Sequence, residues 1–173
     1  NSYIYVEISD RMTGQWIVSE EKVQIFINML LKHLSLESFE TSISFVDSRA
    51  IQDLNQKFRN KNKPTDVLSF PQIDWEQPGV FSEDAEQQHL PKILGDIVIS
   101  LEEASCNAKL INQSVEREVC FLLVHGVLHL CGYDHLEEQE ERLMLAKQNL
   151  LVDFLHKEEN RSLWCGMVKE RKH

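Results

Sequence analysis

The sequence predicts an α+β fold, in which helices pack over a sheet of about four strands. Two observations lead to this class. Four short segments are rich in apolar and β-branched residues and are typical of strands: residues 3–8, 41–46, 67–70 and 93–99. The intervening and following segments carry apolar residues at helical spacing behind helix-capping residues. At 173 residues the chain is long enough to form a single domain, 1–173, with a genuine core.

The first and last strands differ in predicted burial. In residues 3–8, apolar side chains alternate with polar or aromatic ones, which indicates a half-buried strand. A turn is predicted at Thr13-Gly14. Residues 93–99 are strongly apolar apart from Gly95-Asp96, which favours a central strand.

The first helix is predicted from its cap and its stripe. Ser19 can cap it, and Glu20 and Glu21 lie in the first turn, where the helix dipole favours negative charge. We expect His33, near its end, to be a surface residue. The apolar stripe comprises Val23, Phe26, Ile27, Leu30, Leu31 and Leu34.

A second helix is predicted to begin at Asp47 or Ser48 and to end near Arg59. Pro64 must follow its end, because proline lacks a backbone donor and disfavours a helical predecessor. The residues predicted to face inward are Ile51, Leu54 and Phe58.

Two further helices have clear starting points. Ser100 and Glu103 match a capping box before a helix that ends near residue 112. Ser114 can cap the next helix, residues 115–130, which is apolar enough to be buried.

The last helix is predicted at residues 137–157, with several glutamates in its opening turns. Residues 71–92 have little periodicity and are predicted to form a long exposed loop. Residues 161–173 receive no assignment. The apolar side of the last helix is predicted to contain Leu143, Ala146, Leu150, Leu151 and Phe154.

Three histidines fall within one short stretch. Residues four apart on a helix share a face, so His125 and His129 should point the same way. Gly132 suits a left-handed turn that brings His135 back toward them. Three imidazoles suit zinc and leave a fourth position for water. The stretch therefore predicts a catalytic site with one Zn²⁺, or another divalent metal.

The same stretch matches the metzincin pattern HExxHxxGxxH with one change. Gly126 stands where that protease has its general-base glutamate. Without this carboxylate, peptide hydrolysis is disfavoured. We expect the missing side chain to leave room beside the metal.

The charge of the chain bears on its partner. With a formal net charge of -10, it is not a protein that grips nucleic acid by overall basicity. A dense basic segment nevertheless contains Lys57, Arg59, Lys61 and Lys63. This segment is either a solvated loop or a contact for an anionic substrate beside the metal.

The remaining composition predicts a cytoplasmic protein. Neither a membrane span of about 18 apolar residues nor a signal peptide is visible. The four cysteines form no CxxC pair and suit reduced thiols. Cys131, beside the histidines, is expected to be a core thiol because it faces another side of the helix.

Three motifs, in this order along the chain, resemble those of the YbeY family of rRNA maturation factors. Residues 54–70 read LNQKFRNKNKPTDVLSF, residues 94–100 read LGDIVIS, and residues 125–135 read HGVLHLCGYDH. The resemblance implies a mixed four-stranded sheet with a zincin-like metal helix. It also implies a metal-dependent endoribonuclease that associates with the small ribosomal subunit and with 16S rRNA 3′-end maturation.

Site roles follow from the residues and from this resemblance. Arg59 occupies the family's catalytic arginine position, and a guanidinium suits the charge that develops on a cleaved phosphodiester. Lys57, Lys61 and Lys63 are candidate phosphate contacts. Asp134 could orient an imidazole, act as a base, or be a plain turn residue.

Three classes of function remain open. The first is an endoribonuclease that cleaves single-stranded RNA, including rRNA. The second is a metalloprotease-like hydrolase, which needs a base that Gly126 does not supply. The third is a non-catalytic ribosome-assembly factor with a structural metal, and the acidic charge suits docking on ribosomal proteins.

Overall fold

The computed structural model describes residues 4–9, 15–75, 77–79 and 92–171. Its main sheet has four strands: β1 (Ile4–Ile8), β3 (Phe39–Val46), β4 (Val67–Pro71) and β5 (Lys92–Ser100). Their spatial order is β1-β3-β5-β4. Strands β1, β3 and β5 run parallel to one another, whereas β4 pairs antiparallel with β5 and lies at the sheet edge. The predicted α+β class and mixed sheet are confirmed.

Six helices accompany the sheet in the described residues: α1 (Glu20–His33), α2 (Ser48–Arg59), α3 (Leu101–Leu110), α4 (Val115–Leu130), α5 (Glu138–His156) and α6 (Glu158–Trp164). The predicted caps are confirmed. Ser19, Ser100 and Ser114 each accept a hydrogen bond from a backbone amide in the first turn of α1, α3 and α4. No helix among the described residues is long and apolar enough to cross a membrane.

The two faces of the sheet are covered unequally. Neighbouring residues of β5 point to opposite faces, so Ile97 and Ile99 join the main core while Val98 packs in a small cluster with Ile51 of α2. The main core also receives the apolar faces of α1 and α4. Helices α2 and α4 therefore lie on opposite faces of the sheet, with the edge strand β4 between them.

The predicted inward face of α2 is partly wrong. Ile51 is buried and Leu54 is half-buried, but Phe58 is 56% exposed and packs edge-on against Phe70. Asn55 is buried in its place and donates a hydrogen bond to the carbonyl of Lys63. That bond ties the returning chain to the helix and fixes which side of the last turn faces inward.

The predicted apolar side of α5 is also wrong in phase. Leu151 is buried, but Leu143 and Leu150 are 58% and 66% exposed. One residue corresponds to about 100° of helix rotation, so a shift of one position separates the buried face from the predicted one. The buried residues of α5 are Met144, Gln148, Leu151 and Leu155.

The C-terminal residues 161–171 form structure that the sequence did not predict. Trp164, at the end of α6, is buried and donates its indole N–H to the carbonyl of Leu155. Strand β6 (Val168–Glu170) then pairs antiparallel with β2 (Trp16–Val18). Three-residue strands carry too little periodicity to be recognised, and these two are distant in sequence.

Two other predictions fall largely or wholly on undescribed residues. The turn at Thr13-Gly14 lies outside the described residues, as do residues 76 and 80–91 of the predicted loop at 71–92. In the described part of that loop, the indole of Trp75 donates to the carbonyl of Leu130, at 2.7 Å. The start of the loop is thereby fixed over the end of α4.

The phase of α5 gives a stability test. Leu151→Ala should lower the free energy of unfolding by about 2–5 kcal/mol, because it leaves a cavity in the main core. Leu150→Ala, one position earlier, should change it by less than about 0.5 kcal/mol, because the side chain is mostly exposed. Urea denaturation of both variants checks this, and equal losses would contradict the buried face described above.

Candidate metal centre and its cleft

Helix α4 presents two histidines side by side. Both His125 and His129 are half-buried on the same face, and their Nε2 atoms lie 3.0 Å apart. The helix is held against β4 and β5 by a nearly continuous run of buried residues. The two imidazoles are therefore carried by one of the most firmly packed elements of the fold.

The third histidine is brought back by a glycine turn, as predicted. Gly132 has φ of +91°, and a Cβ at this position would lie 2.9 Å from Cβ of Trp75, so a larger residue would be both strained and obstructed. After the turn, the ring centre of His135 lies 5.2 Å from that of His129 and 6.2 Å from that of His125. The structure thus brings the three imidazoles together.

A carboxylate joins the group. His129, Asp134 and His135 each offer one donor atom, and these atoms lie within 4.8 Å of one another. In tetrahedral zinc sites with ligands at about 2.0–2.1 Å, donors are separated by about 3.3 Å, so the 3.0 Å between His125 and His129 fits a shared ion. His129, Asp134 and His135 could hold a metal, with His125 adjoining them through His129. Their mixed nitrogen and oxygen donors suit first-row divalent ions.

Asp134 also has a local structural role. Its Oδ1 accepts a hydrogen bond from the backbone N–H of His135, at 2.7 Å, and lies 3.9 Å from Nδ1 of the same residue. This contact holds the turn that presents His135. A turn role for Asp134 is thus visible in the geometry, beside its place among the donors.

The electrostatics keep the helix histidines neutral. Burial, followed by the nearby His125 and His135, lowers the pKa of His129 from 6.5 to about 4. Burial also lowers the pKa of His125, against the opposing effect of its hydrogen bond with Gln148. Neutral imidazole is the form that binds metal.

An open cleft of about 780 Å³ adjoins the histidines. Arg59 lines it although α2 lies on the other face of the sheet, because its guanidinium reaches the edge strand and donates from Nη2 to the carbonyl of Ser69, at 3.0 Å. The hydroxyl of Ser69 in turn donates to the carbonyl of Gly126 in α4, at 3.4 Å. The guanidinium and the imidazoles therefore share one cleft, linked through a single strand residue.

The predicted phosphate contacts are dispersed. Lys61 is exposed and lines the cleft. Lys57 is not among the lining residues, and its ammonium lies 5.2 Å from the ring centre of Phe58. Lys63 is exposed and also outside the lining, with its carbonyl bound by Asn55. The structure brings only Lys61 and Arg59 of the basic segment to the cleft.

The prediction that Gly126 leaves free space beside the metal is wrong. A Cβ there would lie 3.0 Å from Cδ1 of Ile97, so the missing side chain faces the central strand and not the histidines. Gly126 lets α4 approach the sheet closely. Cys131 is buried, and burial raises the pKa of its thiol to about 12, so it is a core thiol as expected.

Three neighbours of the site were not identified from the sequence. Gln148 of α5 contacts His125, and Trp75 lines the cleft. The carboxylate of Asp66 also lines it and accepts a hydrogen bond from Asn107. Gln148 left no clear signal, because α5 carries many polar residues, and the misjudged phase of α5 placed it outside the predicted apolar side.

The fold and the cleft define an α+β protein with a candidate metal centre, and comparisons with known proteins specify the family. A sequence profile described as "Endoribonuclease YbeY" matches residues 8–156. A protein named Endoribonuclease YbeY from Clostridium botulinum (strain 657 / Type Ba4) is 39% identical over 144 residues, covering 77% of this chain and 86% of the relative. Another of that name from Lysinibacillus sphaericus is 44% identical over 131 residues, covering 73% and 82%.

A solved structure agrees in fold. The solution structure of TM1509 from Thermotoga maritima superposes with a TM-score of 0.59 at 25% identity, covering 92% of each chain. The chain belongs to the YbeY family of endoribonucleases. The resemblance inferred from the three motifs is confirmed, and with it the expectation that the chain is a member of an enzyme family.

The lowered pKa of His129 predicts how stability depends on pH. Between about pH 6.5 and pH 4, the unfolded chain binds a proton at this position that the folded chain does not. The metal-free protein should therefore be fully stabilised above this window and lose stability as pH falls through it. Urea unfolding of chelator-treated protein at several pH values measures this, and His129→Gln should show a flatter dependence. The same slope in both proteins would contradict the shift.

Proposed function

We propose that the chain is a single-strand-specific, zinc-dependent endoribonuclease whose one domain spans residues 1–173. The observation that carries the proposal is the shared cleft, which is lined by Arg59 and by all three histidines. Membership of a family whose relatives are named as endoribonucleases supports the reaction class. The substrate is then a phosphodiester held between a cation and a metal centre.

His125, His129 and His135 are the proposed ligands of one zinc ion. When bound, zinc acts as a Lewis acid toward a phosphoryl oxygen and lowers the pKa of water. The low pKa of His129 keeps that imidazole neutral and ready to bind at neutral pH. Asp134 holds the turn before His135 and is also a candidate for proton transfer, because its half-buried carboxylate lines the cleft.

Arg59 is the proposed electrostatic partner of the reacting phosphate. A guanidinium has five N–H donors, and within the described part of the chain only Nη2 is bound, to the Ser69 carbonyl. The remaining donors can bind two oxygens of the phosphate as negative charge develops on them. Lys61 lies in the same cleft and can bind a neighbouring phosphate, while Lys57 and Lys63 add positive charge along the approach.

The cleft also suits unpaired bases. The half-buried rings of Trp75 and Tyr133 line it beside the histidines. Proteins that recognise single-stranded RNA stack its bases on aromatic side chains, which a base-paired duplex does not allow. This supports single-stranded RNA as the substrate.

A metalloprotease is disfavoured on two grounds. Position 126 lacks the general-base carboxylate, and Ile97 leaves no room for one. The outer edge of β4 is also unsuited to pairing with a peptide, because Arg59 donates to the Ser69 carbonyl and Pro71 has no N–H to donate. Casein digestion by the zinc-loaded protein would restore the protease hypothesis.

A purely structural metal is also disfavoured. His135 is exposed, and the main core is built from apolar residues of the sheet and helices without it. The fold should therefore persist without metal. A chelated protein that unfolds would instead favour the non-catalytic assembly factor.

The biological setting is part of the proposal. A chain with net charge -10 has few means of holding free RNA by general attraction. We expect it to act in the cytoplasm on rRNA, including the 3′ end of 16S rRNA, while docked on the small ribosomal subunit with its assembly factors. Ribosomal proteins offer basic surfaces that complement the acidic charge.

The arginine is tested by substitution. Arg59→Ala should lower the rate of single-stranded RNA cleavage by about 10²–10³-fold, because it removes charge stabilisation of the reacting phosphate, and should leave zinc content unchanged. Arg49→Ala, an exposed arginine at the start of the same helix, is the matched control and should retain activity. Unchanged turnover in Arg59→Ala would remove the arginine from the mechanism.

The metal centre is tested by measuring bound zinc and RNA cleavage in histidine variants. His129→Ala should lose both bound zinc and RNA cleavage, because it removes a central ligand, while keeping the fold of the wild-type protein. His33→Ala, an exposed histidine of α1, should keep both. Elemental analysis and a cleavage assay on the same preparations decide this, and a His129→Ala protein that still cleaves RNA would refute the proposed centre.

A further inference from the structure

Gln148 is a polar residue in an apolar position. It is only 3% exposed, and the other buried residues of α5 are Met144, Leu151 and Leu155. A buried polar group that loses its hydrogen bonds costs about 1–3 kcal/mol. An amide at this position therefore requires a specific partner.

That partner is His125. Oε1 of Gln148 lies 3.4 Å from Nδ1 of the imidazole. The other ring nitrogen, Nε2, faces the metal centre, 3.0 Å from Nε2 of His129. The two nitrogens of His125 thus face different groups, one toward α5 and the other toward the cleft.

This arrangement selects one tautomer. An amide oxygen only accepts hydrogen bonds, so it favours the form of His125 that carries its proton on Nδ1. The lone pair then lies on Nε2, where it can serve a metal ion. A partner that accepts from the second nitrogen also fixes the plane of the ring.

We propose that Gln148 is a positioning residue, which orients the His125 ring and directs its Nε2 lone pair into the cleft. The inference rests on the proposed function, since it assigns the support of one of the three proposed ligands. The amide is neutral and cannot remove the proton from Nδ1, so it orients the ring without adding charge to the core. Helix α5 thereby contributes to the centre although none of its residues is a ligand.

The first test is zinc affinity, measured by competition with a chromogenic chelator. Gln148→Met keeps the size and burial of the side chain but removes the acceptor, and should weaken zinc binding about 10–100-fold. Gln148→Glu retains an acceptor oxygen and should bind zinc at least as tightly as the wild type. Leu151→Met, one turn further along the same buried face, is the matched control and should bind like the wild type.

A purely structural role predicts a different pattern. In that case Gln148→Met would lower the melting temperature of the metal-free protein and leave zinc affinity unchanged, which would overturn the proposal. If the wild type itself binds no zinc, the proposed centre fails and this inference fails with it. Normal zinc binding by both the wild type and Gln148→Met would refute the positioning role of Gln148 and leave the proposed zinc centre standing.

The second test does not depend on a variant that folds. Imidazole ¹⁵N chemical shifts of the wild-type protein, with and without zinc, report which nitrogen of His125 carries the proton. The proposal expects the proton on Nδ1 in both states. A proton on Nε2 in the metal-free protein would overturn it.

Discussion

The close packing of α4 on the central strand is the constraint on which the cleft depends. Gly126 allows the helix to approach Ile97 to a distance that a side chain would obstruct. Because His125 and His129 flank this contact on the same helix, their position relative to the sheet edge is set by it. The Ser69 hydroxyl, bonded to the carbonyl of Gly126, ties the edge strand to the same point.

The edge strand then connects two residues that lie far apart in the sequence and on opposite faces of the sheet. Arg59 leaves the end of α2 and reaches the Ser69 carbonyl, which brings its guanidinium round the edge into the cleft. A guanidinium of this kind is held in place before substrate arrives, so little reorganisation is needed as charge develops. The blocked strand edge and the proposed phosphate site are therefore two consequences of the same hydrogen bond.

Much of this arrangement could be predicted from the sequence because its signals are local. The i, i+4 spacing of His125 and His129 and the glycine turn before His135 depend only on helix geometry and on a positive φ, and the serine caps depend on the first turn of each helix. Gln148 could not be predicted in the same way. Its role depends on which side of α5 faces α4, and the exposed Leu143 and Leu150 made a neighbouring side look equally apolar.

The role of Gly126 required the tertiary structure as well. A glycine in a helix indicates that another group approaches the helix closely, but the sequence does not show whether that group is a ligand or a strand. Pairing of β2 with β6 is another long-range feature, since it joins residues near the two ends of the chain. Local rules thus predict the ligands, and packing determines what surrounds them.

The most direct measurement is a crystal structure of the zinc-loaded protein with the ion located by anomalous scattering. The account predicts one ion at about 2.0–2.1 Å from nitrogens of His125, His129 and His135, with the Arg59 guanidinium in the same cleft. An ion bound elsewhere, or an Arg59 side chain directed away from the ion, would contradict it.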